Sequence, residues 1–225
     1  AKGTSQSLWE KAQVFKSSLT PELQQQLEFD FKDEERTSFH FVPKSRKGPT
    51  FHDFNPNQKA LAIDLLKSCL SAEGFRKSRE IMELENVLMI MDQYPMPDGT
   101  LARDPLNYHF SMFGIPQADS VWGWRFEGHH LSLNFTSNSG VLVSATPSFM
   151  GSNPGIVPIE KEKGKQVLRQ ESERALRLVN TLSEEQLGMA RFSETALREI
   201  LTGNRTDIAT LEPKGISYSQ LTLGQ

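Results

Sequence analysis

The chain has 225 residues, 37% of them hydrophobic and 14 of them Phe, which is enough for a packed core and argues against disorder. A formal charge of −3 speaks against a nucleic-acid surface, and no apolar run approaches the ~20 residues that span a bilayer. The single cysteine, Cys69, excludes an internal disulfide framework and any cysteine-rich zinc cluster.

Taken in order, Leu8, Ala12, Phe15 and Leu19 recur with helical spacing. Thr20-Pro21-Glu22 then restarts a helix, with Thr as cap and Pro in the first turn, running to about Phe31. Thr37 to Val42 reads as a short strand closed by Pro43. The basic turn Lys44-Ser45-Arg46-Lys47-Gly48-Pro49 reads as a solvated loop in preference to an anion site. Asn55-Pro56-Asn57-Gln58 opens another helix with a capping box, and its apolar stripe of Leu61, Leu65, Leu66, Cys69 and Leu70 stops before Gly74. Cys69 lies on that stripe and reads as buried packing. A partner helix spans Phe75 to Met91, with Ile81, Leu84, Leu88 and Met91 on its buried face. Met82, Met89 and Met91 fit core filling better than a thioether metal set. Tyr94 to Gly99 is a turn-rich connection.

Tyr108 to Phe113 alternates as a strand and ends at Gly114. The longest strand pattern follows, from Trp122 to Phe135, with a turn at Ser137-Asn138-Ser139-Gly140 and a return strand at Val141 to Thr146. The pattern contains a fault. Before Gly128 the large apolar residues are even-numbered (Trp122, Trp124, Phe126); after it they are odd-numbered (Leu131, Leu133, Phe135). Side chains alternate faces, so a bulge or an equivalent irregularity at Gly128-His129 is needed to hold the apolar set together. Gly128→Val should then cost over ~1 kcal/mol through backbone strain. The repaired strand puts Glu127, His130, Ser132 and Asn134 on the opposite face. Pro147 to Gly155 is too rich in turn residues for regular structure and can fold back over the first strand of the hairpin.

Gly164 to Leu182 is the longest amphipathic helix, with Leu168, Ala175, Leu178, Val179 and Leu182 spaced for one buried stripe. Ser183-Glu184-Glu185-Gln186 caps a further helix, whereas Arg191 to Ile216 is ambiguous. The same device recurs at Thr222-Leu223-Gly224-Gln225, where a helix would stop in its first turn, and nucleation without propagation is unfavourable. The expectation is a single α+β domain over 1–225, the N-terminal part of a longer protein. Its antiparallel sheet surrounds the central hairpin, and amphipathic helices pack against it. A start at Ala1-Lys2-Gly3 without Met is what a cleaved leader leaves, and equally what any cut in a longer chain leaves.

Neutral imidazole is the commonest protein metal ligand, and a carboxylate can ligate or orient it. The candidate metal ligands are therefore His129, His130 and, from the neighbouring strand, His109, for a zinc, copper or iron ion. Glu127 and His130 are the candidates for acid–base catalysis. Arg125 and Asn134 are candidate contacts for a small-molecule substrate or cofactor; Arg125 is placed to pair with Glu127 or another acid, and alternatively to clamp a substrate carboxylate. The opposing reading is that His130 donates to Glu127 or a backbone carbonyl while His129 packs under a Trp. Two functional classes stay open: a metal-dependent hydrolytic or oxidative enzyme, and a binding or structural module in which the motif is a buried polar network.

Glu127 to Asn134, with the preceding Trp-Gly-Trp-Arg, resembles the hallmark of a largely bacterial family catalogued as domain of unknown function 3500. Arg103-Asp104-Pro105 with Tyr108, Phe113-Gly114-Ile115-Pro116, Thr146-Pro147 with Phe149, Gly151, Asn153 and Pro154, and the starts at Leu182-Ser183 and Leu221-Thr222 are similar too. The resemblance covers nearly the whole chain and implies no activity. It implies a further C-terminal part richer in histidine, which could pair with this segment or leave it to self-associate. It also tips localisation toward the periplasm or secretion.

Overall fold

In a computed structural model of the protein, the described residues are 6–92, 103–196, 200, 202, 203, 205, 207 and 212–225. The expected Tyr94–Gly99 connection and the Ala1-Lys2-Gly3 start lie outside them. Contacts divide the chain into two compact units, Ala1–Val167 and Leu168–Gln225. The fold is α+β, with an open, mixed, mostly antiparallel sheet. No helix of the described residues is long and apolar enough to cross a membrane.

In the first unit, helix α1 (Leu8–Ser17) starts at a capping box between Ser7 and Glu10, and α2 (Pro21–Leu27) starts at the Thr20 cap with Pro in its first turn. The second helix ends four residues before the expected Phe31. Its place is taken by a two-residue strand β1 (Glu28–Phe29), which pairs in parallel with Met112 and Phe113 and sets the Phe29 and Phe113 rings 5.4 Å apart. Helix α3 (Pro56–Cys69) carries the expected capping box, and Gln58 also donates from Nε2 to the Ser18 carbonyl at 2.7 Å, tying the start of α3 to the end of α1. Helix α4 (Ala72–Asp92) buries Ile81, Met82, Leu84 and Leu88 but leaves Met91 exposed, so the expected buried face ends one turn early. Cys69 is mostly buried, and burial pushes its thiol up to about 11.

Strands β2 (His109–Phe113), β3 (Val121–Gly128), β4 (Leu131–Asn138), β5 (Val141–Ser144) and β6 (Ser148–Met150) complete the sheet in the order β1-β2-β3-β4-β5, with β6 also pairing to β4. The phase change at Gly128 is a chain reversal rather than a bulge. Gly128 faces Leu131 across a two-residue turn, His129-His130, with His130 at φ 55°. Trp124 then pairs with Phe135 and Phe126 with Leu133, so the apolar residues share one face, as the pattern demands. A register shift does occur, but between Thr136 and Ser137 against β5. The next turn is also tighter than the four residues expected: Ser139 (φ 50°) and Gly140 (φ 75°) alone link β4 to β5, the left-handed pair of a type I′ hairpin. Ser148 to Met150, expected to be irregular, pairs with Leu131 to Leu133.

The apolar face meets the helices and the 51–54 turn through aromatic contacts. Phe15 and Phe54 lie 5.5 and 5.6 Å from Phe110, and Phe51 lies 6.0 Å from Phe126. The polar face is covered as well, by the segment 33–50. No strand forms at Thr37–Val42. Asp33 caps a 3-10 turn at Glu34–Thr37, and the backbone N–H groups of Phe41 and Val42 both turn to the His40 ring nitrogen instead of a ladder.

The second unit holds α5 (Arg169–Thr181), α6 (Glu184–Ala190) and a 3-10 turn at Tyr218–Gln220. Helix α5 begins later than the expected Gly164, because Gly164 sits at φ 88° in a loop closed by the Val157–Lys165 and Gly164–Val157 backbone bonds. It buries none of its residues, so the expected buried stripe is not formed; Val179, a member of that stripe, is 47% exposed. The caps interlock: Gln186 accepts from the Ser183 N–H and donates to the Gln220 carbonyl, and Gln225 accepts from the Thr222 N–H and donates to the Thr181 carbonyl.

Candidate functional site

Alternation along β3 and β4 puts Arg125 opposite Asn134 and Glu127 opposite Ser132, on the face away from the aromatic core. Under segment 33–50 these polar residues become buried. The Arg125 side chain is 0% exposed and that of Glu127 2%. Arg125 reaches back to Glu35, donating from Nη2 to Oε1 at 2.5 Å and from Nη1 to the backbone carbonyl at 2.7 Å. Its Nε lies 2.8 Å from Glu127 Oε1, off the hydrogen-bond axis, as an ion pair. The other Glu127 oxygen lies 3.4 Å from Nε of Arg46, whose side chain is 5% exposed. Arg46 thus belongs to the interior rather than to a solvated basic turn. Its guanidinium also donates to the Val42 carbonyl at 2.6 Å and the Lys44 carbonyl at 3.2 Å. Burial pushes the Glu127 carboxyl above its ordinary range, against the pull of Arg125 and Arg46.

The two histidines occupy the turn and form a different cluster. His129 Nδ1 sits 2.5 Å from Oε1 of Glu85, a buried carboxylate of α4, and Arg103 Nη1 lies 3.1 Å from the same nitrogen. Arg103 is in turn paired with Asp92 at 2.9 Å. The His130 ring lies against His129 at 4.0 Å. Burial, then the charges of His129 and Arg103, push His130 down to about 4, so its ring is neutral at pH 7. The turn backbone is fastened on three sides. His130 N–H donates to the Phe41 carbonyl at 2.7 Å, the His130 carbonyl accepts from Gly151 N–H at 2.8 Å, and the His129 carbonyl accepts from the Tyr108 hydroxyl at 2.8 Å.

His109 has other partners. Its Nδ1 lies 2.9 Å from the Gly48 carbonyl and its Nε2 lies 3.2 Å from Asn107 Oδ1, and burial lowers its proton affinity. Asn134 donates to the Pro147 carbonyl at 2.8 Å and so holds the chain as it enters β6. The expected set therefore separates: Glu127 and Arg125 come together, His129 and His130 come together, and His109 and Asn134 each tie down a loop. Among the described residues no group of three or more His, Cys, Asp or Glu is placed to hold a metal ion. Glu35, Arg46, Glu85 and Arg103 were missed as site residues. Glu85 carried a readable signal, since it falls four residues after Ile81 and three before Leu88, on the apolar stripe. A polar residue at such a position needs a buried partner.

A cavity of about 290 Å³ adjoins the first cluster, lined by Ser38, Lys44, Ser45 and Lys47 together with Glu35, Arg46 and Glu127. A sequence model of the family described as "Protein of unknown function (DUF3500)" matches residues 1–225, the whole chain. No curated protein and no solved structure matches it.

Proposed function

Since the chain belongs to the DUF3500 family, whose description carries no activity, the reading must come from the site, and we propose that the protein is a non-catalytic binding module in which the Glu-Gly-His-His motif is a buried polar network. One observation carries this: both oxygens of Glu127 face guanidinium nitrogens, Arg125 at 2.8 Å and Arg46 at 3.4 Å, and all three side chains are at most 5% exposed. A general acid or base must be free to exchange a proton with substrate, whereas this carboxylate, although it borders the cavity, has each oxygen set against an internal guanidinium. Together with the Arg125–Glu35 pair, it fastens an irregular segment onto the sheet face that carries Arg125 and Glu127.

Removing one partner of a buried charge network leaves the others uncompensated, at a cost of ~3–5 kcal/mol. Glu127→Gln is therefore expected to lower unfolding free energy by about 3 kcal/mol, measured by urea denaturation. An unchanged or raised stability would overturn the reading, because a residue held for chemistry rather than for the fold can be neutralised without such a loss. Elemental analysis of protein purified without a His tag tests the metal-dependent enzyme directly, and a stoichiometric zinc, copper or iron content would restore it.

A further inference from the structure

Resting on that reading of the motif, we propose that the cavity lined by the basic loop 44–47 binds a small phosphate-bearing molecule. The loop is built rather than loose. Gly48 takes φ 88°, and a Cβ there would lie 2.0 Å from the Phe110 carbonyl oxygen, so only glycine lets the chain pass this close to β2. Phe110 N–H donates to the Pro49 carbonyl at 2.9 Å, and His109 holds the Gly48 carbonyl at the same distance. From the other side Arg46 grips the carbonyls of Val42 and Lys44. Lys44, Ser45 and Lys47 are thereby set in fixed backbone positions around the cavity, with Ser38 adding a second hydroxyl.

The charges at this place do not balance. Among the described residues the cavity is lined by three cations, Lys44, Arg46 and Lys47, and two carboxylates, Glu35 and Glu127, and Arg46 and the fully buried Arg125 behind it take the close contacts with both carboxylates. Lys47 lies 3.5 Å from Glu35 with 62% of its side chain exposed, and Lys44 has no acidic partner among the described residues. The lining carries one positive charge in surplus, and with both carboxylates held by guanidinium groups the two ammonium groups are left to meet an anion. The groups left open are ammonium and hydroxyl, which suit a tetrahedral oxyanion, whereas the planar forks that favour a carboxylate are occupied internally. At about 290 Å³ the cavity has room for a small metabolite and no more.

The test is calorimetric titration of the full chain at pH 7 with inorganic phosphate and, separately, glycerol 3-phosphate, which distinguishes the free ion from a phosphorylated molecule. The expected result is saturable one-to-one binding of at least one of them with Kd below ~1 mM. It should weaken at least ~tenfold in Lys44→Gln/Lys47→Gln and with added salt. The charge-matched control Lys161→Gln/Lys163→Gln, at exposed positions outside the cavity lining, should bind as the parent does. No saturation by ~10 mM, an equal loss in the control, or tighter binding of malonate than of either phosphate would overturn the assignment. Lys44 and Lys47 are exposed, so their variant should melt with the parent. A failure here with Glu127→Gln still destabilising would leave the network reading standing.

Discussion

Gly128→Ala probes whether the turn is held by packing. No strain of the left-handed kind arises at Gly128, so the penalty has a different origin from the one its sequence position suggests. A Cβ there would lie 2.4, 2.6 and 2.8 Å from Cδ1, Cε1 and Cγ of Tyr108, where ordinary contact begins near 3.4 Å. The ring would have to retreat by about 1 Å to restore normal contact. It has nowhere to go: Tyr108 is 0% exposed, the Phe126 ring is 5.7 Å away, and its hydroxyl is held by the His129 carbonyl at 2.8 Å. Overpacking costs ~1–3 kcal/mol and loss of the buried hydroxyl bond ~1 kcal/mol more, so the alanine variant should lose about 3 kcal/mol. Urea denaturation would read this as a lower midpoint with an unchanged slope. A double-mutant cycle isolates the cause. Tyr108→Ala alone should cost ~3–5 kcal/mol, and in that background Gly128→Ala should add less than ~0.5 kcal/mol. A penalty that persists at full size without the Tyr108 ring, or one below ~0.5 kcal/mol in the parent, would refute the packing argument.

Two further outcomes follow from single side chains. His130 titrates at about 4 in the folded protein against 6.5 ordinarily. Its folded value is depressed, so the stability present above 6.5 is lost as pH falls toward 4. His130→Asn removes that titration and keeps a side chain that accepts the left-handed backbone at φ 55°. Its stability should fall less than the parent's across this window, and parallel pH profiles would show that His130 does not sense acid. Gln58→Glu keeps the acceptor for the Asn55 N–H but sets a carboxylate oxygen against the Ser18 carbonyl, now 2.7 Å from Nε2, at a residue 5% exposed. The loss should be about 2 kcal/mol at pH 7 and smaller at pH 4, where a protonated carboxyl can donate; equal losses at both pH values would rule out the opposed-acceptor cause.

Much of the fold was legible because it rests on local chemistry. The caps at Ser183, Thr20 and Asn55 and the strand at Tyr108–Phe113 follow from residue type and spacing. The shared face of Trp124, Phe126, Leu131 and Leu133 was legible too, while its cause was not. A bulge and a two-residue turn repair the same phase error, and His-His lacks the Gly or Asn that usually announces such a turn. Two of the misread segments have distant backbone partners. Glu28–Phe29 leaves its helix to pair with Met112–Phe113, and Ser148–Met150 pairs with Leu131–Leu133 despite flanking prolines.

The site was legible only as residue types, because burial decides what a polar residue can do and burial was not visible. Segment 33–50 supplies Glu35 and Arg46, and by covering the sheet it holds Arg125, a candidate substrate contact, and Glu127, a candidate acid–base group, in a buried ion network. The same logic sorts the capping residues. Glu10 turns one carboxylate oxygen back on Ser7, whereas Gln58, Gln186 and Gln225 accept at their own caps and donate to a carbonyl elsewhere in the chain. Glutamate can close a capping box but has no donor left when ionised; glutamine can close it and bridge to a second element. The choice between these two residues at the third helical position is thus a readable sign of a tertiary tie. Buried Arg46 and Glu85 are comparable signs, each a polar residue whose position makes sense only once its partner is found.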